Sequence, residues 1–245
     1  MNDACRVLVT GGSGGIGRAI AATFIASGAT VAATSRSGHV PDVTHGLAME
    51  LEKPDSITAA VSEAERLLGG MDTLVVNAVR WPTGFAERFE AVEPGEWRTV
   101  LRANVEGAFS VVQAALPALR ASAAGRIVLI SSGAAEEGHP PAPHYIAAKA
   151  ALHGLCRALA WDAGRDGVLV NVIAAGFTRT ATNSDRFGPE IFERAGALTP
   201  QGRVSTAEDV AALALWLGSP ANTSVTGEVI REGTSAARTP LVALS

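Results

Sequence analysis

The sequence predicts an α/β protein: a doubly wound sheet of seven parallel strands flanked by helices, in one domain spanning 1–245. Three observations predict it. Short runs that are apolar throughout recur along the chain, as in strands buried on both faces. Segments with helical spacing separate those runs, and this alternation makes a parallel sheet. The 245 residues are 47% apolar and 18% charged, which suffices for one substantial core.

The elements follow in order. RVLVT (6–10) is the first strand, and IGRAIAATFIASG (16–28) the first helix, closed by Gly28. TVAAT (30–34) is the second strand. SGHVPDVTH (37–45) is too broken for a full crossover helix, and GLAMEL (46–51) is a weak third strand. DSITAAVSEAERLLGG (55–70) is a helix and TLVVN (73–77) a strand. A long helix starts near Pro94, a favoured first-turn position, and runs to about Arg120, with Pro117 bending its last turn. RIVLISS (126–132) is the fifth strand, 143–164 a helix, and VLVNVIAA (168–175) the sixth strand. A polar excursion with one short helix covers 177–204. TAEDVAALALWLG (206–218) is a capped helix and SVTGEVI (224–230) the last strand.

Several function classes are disfavoured. Net charge is −4 with scattered basic residues, so neither a nucleic-acid nor a membrane partner is expected. MNDACRVLVT lacks the basic and long apolar segments of a secretory leader, and no apolar run has spanning length. Cys5 and Cys156 form no CxxC pair and read as small buried hydrophobes of a reducing compartment, which favours the cytoplasm. The five histidines have no HExxH-like spacing, so no metal site is expected.

TGGSGGIG (10–17) joins the first strand to the first helix. Its glycines let the backbone approach a pyrophosphate, and the helix N-terminus supplies free N–H groups and partial positive charge. That context points to a dinucleotide and to a Rossmann fold. After the second strand an acidic residue would accept from a free ribose 2′-OH, whereas a basic one suits a 2′-phosphate. The chain has Ser35 and Arg36 there, which favours NADP(H) over NAD(H).

HYIAAKAA (144–151) holds the only tyrosine and one of two lysines. Tyr145 and Lys149, four apart, share a helix face. A free phenol titrates near 10, too high for acid–base work at neutrality, and an adjacent ammonium would lower it. Tyr145 can then exchange a proton with a carbonyl or alcohol oxygen. Ser131 and Ser132 end the fifth strand at the same rim, as does NAVR (77–80), and Asn104 lies within the long helix.

Together these residues resemble the short-chain dehydrogenase/reductase family, in its single-domain form that includes 3-oxoacyl-[acyl carrier protein] reductases. TGGSGGIG matches the family's TGxxxGxG, and Asn104, Ser132, Tyr145 and Lys149 fall on its Asn-Ser-Tyr-Lys tetrad. The resemblance implies Tyr145 as the acid in reduction and Lys149 as the holder of the nicotinamide ribose that lowers the Tyr145 pKa. It implies Ser132 as the carbonyl orienter and Asn104 as the support of a water relay to Lys149. It also implies cofactor contacts at Gly11, Ser13, Gly14, Gly15, Ile16, Gly17, Ser35, Arg36, Glu50, Leu51, Asn77, Ala78, Gly176 and Thr178, besides Tyr145 and Lys149. The family's NNAG reads VNAV (76–79), its Pro-Gly after the sixth strand reads Ala175-Gly176, and its VDGG-like segment reads REGT.

The leading expectation is an NADPH-dependent reductase of a ketone or 3-oxoacyl-type carbonyl. The alternatives are an alcohol or dihydrodiol dehydrogenase and a non-catalytic NADP(H)-binding sensor or scaffold. Substrate-contact candidates are Trp81, Phe85, Ser132, His144 and Phe177, with 177–204 as a lid. Apolar stripes on the helices carrying Asn104 and Tyr145, together with the family's habit, predict a homodimer or homotetramer.

Overall fold

A computed structural model describes residues 4–83, 88–138 and 142–233. Strand β1 (Arg6–Val9) turns into helix α1 (Gly15–Ala26), followed by β2 (Thr30–Ser35) and β3 (His45–Ala48). Helix α2 (Pro54–Leu68) leads to β4 (Thr73–Val76), then α3 (Pro94–Leu101) and α4 (Gly107–Ala121). Next come β5 (Arg126–Ser132), the single turn α5 (Ala134–Glu137), α6 (Pro143–Ala163) and β6 (Leu169–Ala175). An excursion holds β7 (Thr178–Arg179), α7 (Ala181–Arg186), α8 (Pro189–Ala197) and β8 (Ser205–Thr206) before α9 (Ala207–Leu217) and β9 (Val229–Glu232).

Local chemistry starts and stops these helices. Proline opens α2, α3, α6 and α8 at their first turn, where its missing N–H costs nothing. Gly69, at φ 71, closes α2 in the left-handed conformation. Thr206 and Asp209 form a reciprocal capping box on α9.

The main sheet runs β3-β2-β1-β4-β5-β6-β9, with every neighbouring pair parallel, as the seven apolar runs predict. Its order reverses between β1 and β4, which opens a crevice at the carboxyl ends of those strands. Side chains alternate between two apolar layers. Leu8, Leu74 and Leu129 pack toward α2, α4 and α6, whereas Val7, Val75 and Val128 pack toward α1 and α9.

Four boundaries differ from the sequence reading. The long helix is interrupted by a π-helical turn, Arg102–Glu106, between α3 and α4. The third strand stops at Ala48 because Lys53 N–H closes a turn on the Glu50 carbonyl. The last strand begins only at Val229, since Gly227 adopts φ 77 and the Thr226 hydroxyl takes the Val170 N–H instead. The excursion carries two short helices rather than one.

One polar staple ties the sheet's amino-terminal edge. Asp72 accepts from the Arg6 main chain (2.9 Å), from its guanidinium (2.9 and 2.7 Å) and from the Ser122 hydroxyl (2.7 Å). Burial alone would raise the Asp72 pKa, but these donors outweigh it and hold it down to about 2. The unfolded value is 3.8, so the staple stabilises above that pH and its contribution disappears as pH falls through about 2. Asp72→Asn is expected to cost about 1–2 kcal/mol at neutral pH, allowing for partial solvent screening, and little at strongly acidic pH. Urea unfolding at the two pH values checks this; equal stability of variant and wild type at neutrality would contradict it.

Candidate active site

The glycine turn is built for close approach. Gly11 and Gly15 adopt φ 69 and 54. A Cβ on Gly11 would lie 2.8 Å from Ala78 Cα, and one on Gly17 would overlap the Gly11 carbonyl. Asn77 Nδ2 donates to the Thr10 and Gly11 carbonyls, both at 3.0 Å. Thr10 Oγ1 accepts from the N–H groups of Asn77 (2.9 Å) and Ala78 (3.0 Å). Asn77 thus holds the turn through its side chain and lies against it with Ala78.

The other side of the turn is open. A Cβ on Gly14 would meet nothing within 4 Å, and beside it lie Ser13 and the first helical residues Gly15 and Ile16. No side chain caps α1, and its first turn holds no acidic residue. These N–H groups and the bare backbone fit a pyrophosphate. Ser35 ends β2 with its hydroxyl on the His39 carbonyl (3.0 Å), and the exposed Arg36 makes no ion pair among the described residues. Glu50 is exposed and paired with Lys53 at 2.8 Å, and the Leu51 carbonyl sits where a Gly107 side chain would otherwise go. Gly176 follows β6 packed against Gly233, and Thr178 Oγ1 donates to the Gly176 carbonyl. All these candidates occupy the carboxyl rim of the sheet.

At the ends of β4 and β5 the rim meets α6. Ser132 ends β5, and its hydroxyl lies close enough to the Tyr145 phenol to pull the phenol pKa down. Lys149 is 5% exposed and its Nζ donates to the Ile130 carbonyl at 2.8 Å, 5.9 Å from the Tyr145 ring centre. Burial pushes the Tyr145 phenol up to about 12, against the opposing pull of Ser132, and pushes Lys149 down to about 8. The direction at Tyr145 is opposite to the lowering expected from Lys149. Desolvation dominates both groups, and the ammonium is engaged on Ile130 rather than on the phenol oxygen.

Asn104 is buried within the π turn, where both polar atoms of its amide are engaged. Oδ1 accepts from Arg80 N–H (2.8 Å) and Nδ2 donates to the Arg80 carbonyl (2.9 Å). The side chain therefore clips the loop following β4, and π turns commonly mark such sites. Trp81, next in the chain, lies flat on the Tyr145 ring with centroids 4.8 Å apart and planes at 16°. His144 is 2% exposed, and neither ring nitrogen has a partner among the described residues. Burial lowers its pKa, and it offers no surface to a substrate. Phe177 stacks on Phe192 (5.1 Å) and meets Phe187 edge-on (5.5 Å), so its ring packs the excursion's own small core. Phe85 lies outside the described residues.

The sequence profile of a family described as "Enoyl-(Acyl carrier protein) reductase" matches residues 11–231, nearly the whole of this architecture. The chain belongs to the short-chain dehydrogenase/reductase family. It is 33% identical over 237 residues to the 3-oxoacyl-[acyl-carrier-protein] reductase of Salmonella typhimurium, covering 91% of this chain and 93% of that one. It is 34% identical over 244 residues to galactitol 2-dehydrogenase (L-tagatose-forming) of Cereibacter sphaeroides, covering 94% and 93%. Among solved structures, ligand-free aldohexose dehydrogenase of Thermoplasma acidophilum superposes with TM-score 0.85 at 25% identity, covering 96% of this chain and 94% of that one. A short chain dehydrogenase/reductase family protein superposes with TM-score 0.80 at 32% identity, covering 93% and 94%.

A short-chain dehydrogenase/reductase is an oxidoreductase acting on CH–OH or C=O groups with an NAD(P)(H) cofactor, and the open glycine turn fits that group. In this member, sequence reasoning passed over Thr10, whose hydroxyl joins the turn to the loop after β4. Its signal was present: a buried Thr ends the first strand immediately before the glycines. It also passed over His153, which with the Lys149 carbonyl holds the Ser131 hydroxyl, both at 2.9 Å. His153 stands one turn beyond Lys149 on α6, the same four-residue spacing that singled out Tyr145 and Lys149. Among the described residues no helix is long and apolar enough to cross a membrane, and no His, Cys, Asp and Glu cluster is suited to a metal ion.

Proposed function

We propose that this short-chain dehydrogenase/reductase is an NADPH-dependent reductase of ketone or 3-oxoacyl-type carbonyl compounds, with Tyr145 as proton donor. The observation that carries the reading is the phenol itself. It lies on α6 one helical turn from Lys149 and beside Ser132 at the end of β5, at the rim where the glycine turn would hold a dinucleotide. When bound, the nicotinamide supplies a hydride to the carbonyl carbon. Tyr145 gives its proton to the carbonyl oxygen, Ser132 orients that oxygen, and Lys149 holds the ribose side of the site. Asn104 acts by fixing the Arg80 main chain beside them. NADPH oxidation in the presence of ketones, acyl thioesters and quinones tests the reading; no turnover of any class would refute it.

A second reading, oxidation of an alcohol or polyol, is supported by the likeness to galactitol 2-dehydrogenase. It requires Tyr145 to accept the alcohol proton, the reverse of the transfer above.

The preference for NADP(H) rests on Arg36, an exposed cation just beyond β2 with no ion pair among the described residues and no acidic residue adjacent in sequence. Arg36→Asp is expected to weaken NADPH binding roughly 100-fold, by losing a charge-assisted contact and adding repulsion, with little loss for NADH. Binding titrations with each cofactor check this, and a wild type that binds NADH more tightly than NADPH would overturn it. We further propose that 177–204 closes over the substrate and that the exposed Phe109 on α4 and Trp161 on α6, 82% exposed, pack against another copy in a homodimer or homotetramer.

A further inference from the structure

We propose that Trp81 is a positioning residue for Tyr145: its indole clamps the phenol ring in one orientation and shields it from water. The inference rests on Tyr145 as the proton donor and concerns how that donor is held.

Trp81 is a loop residue with a large apolar ring, yet it is not free to wander. On its amino-terminal side Asn104 grips both main-chain groups of Arg80, and the Arg80 side chain reaches Glu52 (3.6 Å) and Glu96 (3.9 Å). On the far side Thr83 N–H donates to Glu96 Oε1 at 2.7 Å. Two anchors, on α3 and on the π turn, thus bracket the indole. Between them it lies nearly parallel to the phenol, at a separation suited to offset stacking, while remaining 53% exposed on its other surfaces.

This contact has two consequences. A stacked ring resists tilting, so the hydroxyl keeps its bearing toward Ser132 and the substrate oxygen; small misplacements of such a group are costly in rate. The indole also covers one face of the phenol with apolar surface and faces it with π-electron density, and both effects disfavour a phenolate. Holding the hydroxyl in one bearing is the geometric part of a proton donor's task, and the stack supplies it.

Tyr145 is the only tyrosine in the chain, so phenolate absorbance reports it alone. In the full-length protein, with and without NADP+, Trp81→Ala should bring the phenol titration down by roughly one pH unit, while Trp81→Phe, which can still stack, should stay near wild type. With NADPH and a carbonyl substrate identified by the screen above, Trp81→Ala should lower kcat roughly 10-fold at unchanged NADPH affinity, and Trp81→Phe should restore most of it. Circular dichroism at each pH verifies folding, and Trp81→Gln, which is large but cannot exclude water, replaces the alanine variant if that one does not fold. An unmoved titration with only KM for the carbonyl raised would make Trp81 a mere pocket wall and overturn the inference. So would an unchanged kcat in both variants. Wild-type protein that reduces no carbonyl, with the titration still moved by Trp81→Ala, would count against the reductase reading while upholding the hold of the indole on the phenol.

Discussion

Tyr145→Phe is expected to lower kcat for carbonyl reduction by roughly 10³-fold or more, the upper range for loss of a positioned acid. The substitution removes one oxygen and little else. The ring that stacks on Trp81 is retained, as is its place on α6 one turn before Lys149. The glycine turn, Asn77 and Thr10 that shape the pyrophosphate side do not touch the phenol oxygen. NADPH affinity should therefore remain within a few-fold of wild type, which separates a lost proton donor from a lost cofactor site. The wild-type pH profile adds a second check. A proton donor must be protonated, so reduction should persist through neutral pH and decline as pH rises toward the phenol's own titration, which burial has moved up to about 12 in the free protein. Retained turnover in Tyr145→Phe would require another acid and would sink the assignment.

The fold was legible because its signals are local. Each apolar run such as RVLVT or RIVLISS is long enough for one buried strand, and the helices between them are bounded by Pro, Gly or a capping box. What was not legible was set across the chain. Nothing in LRANVEGAF marks a break in helical pattern; the π turn is tied to Arg80, whose main chain the Asn104 amide grips. In the site, Tyr145 and Lys149 could be paired from spacing because one helix carries both. The stack of Trp81 on Tyr145 joins two elements distant in sequence, and no spacing rule reaches it. Phe177 reads as a substrate contact from sequence, but an apolar ring fills a lid core and lines a pocket equally well, and here it packs on Phe187 and Phe192. The Tyr145 phenol is raised rather than lowered for a related reason: the charge of Lys149 is visible in sequence, while the burial of the phenol and the engagement of the ammonium on the Ile130 carbonyl are not.

Lys149→Met is expected to abolish most activity and yet make the protein more stable at neutral pH. Burial has pushed the Lys149 ammonium down to about 8 from the 10.5 of an exposed lysine. Below about pH 8 both the folded and unfolded chains hold this proton, and the cost of keeping the charge out of water is constant, on the order of 3 kcal/mol. Between about 8 and 10.5 the folded protein has released the proton while the unfolded chain still binds it. Unfolding then takes up a proton, so wild-type stability rises with pH across that window. Methionine fills similar volume without a charge, but it gives up the charge-assisted bond to the Ile130 carbonyl, worth about 2 kcal/mol. The net expectation is a gain of roughly 1 kcal/mol at pH 7 that shrinks and reverses as pH rises through the window between about 8 and 10.5. Urea unfolding of both proteins across this range measures it. A methionine variant no more stable than wild type at pH 7 would mean that the site already compensates the ammonium. A gain there that fades with rising pH would identify Lys149 as a charge kept at the expense of stability, as expected of a residue retained for the reaction rather than for the fold.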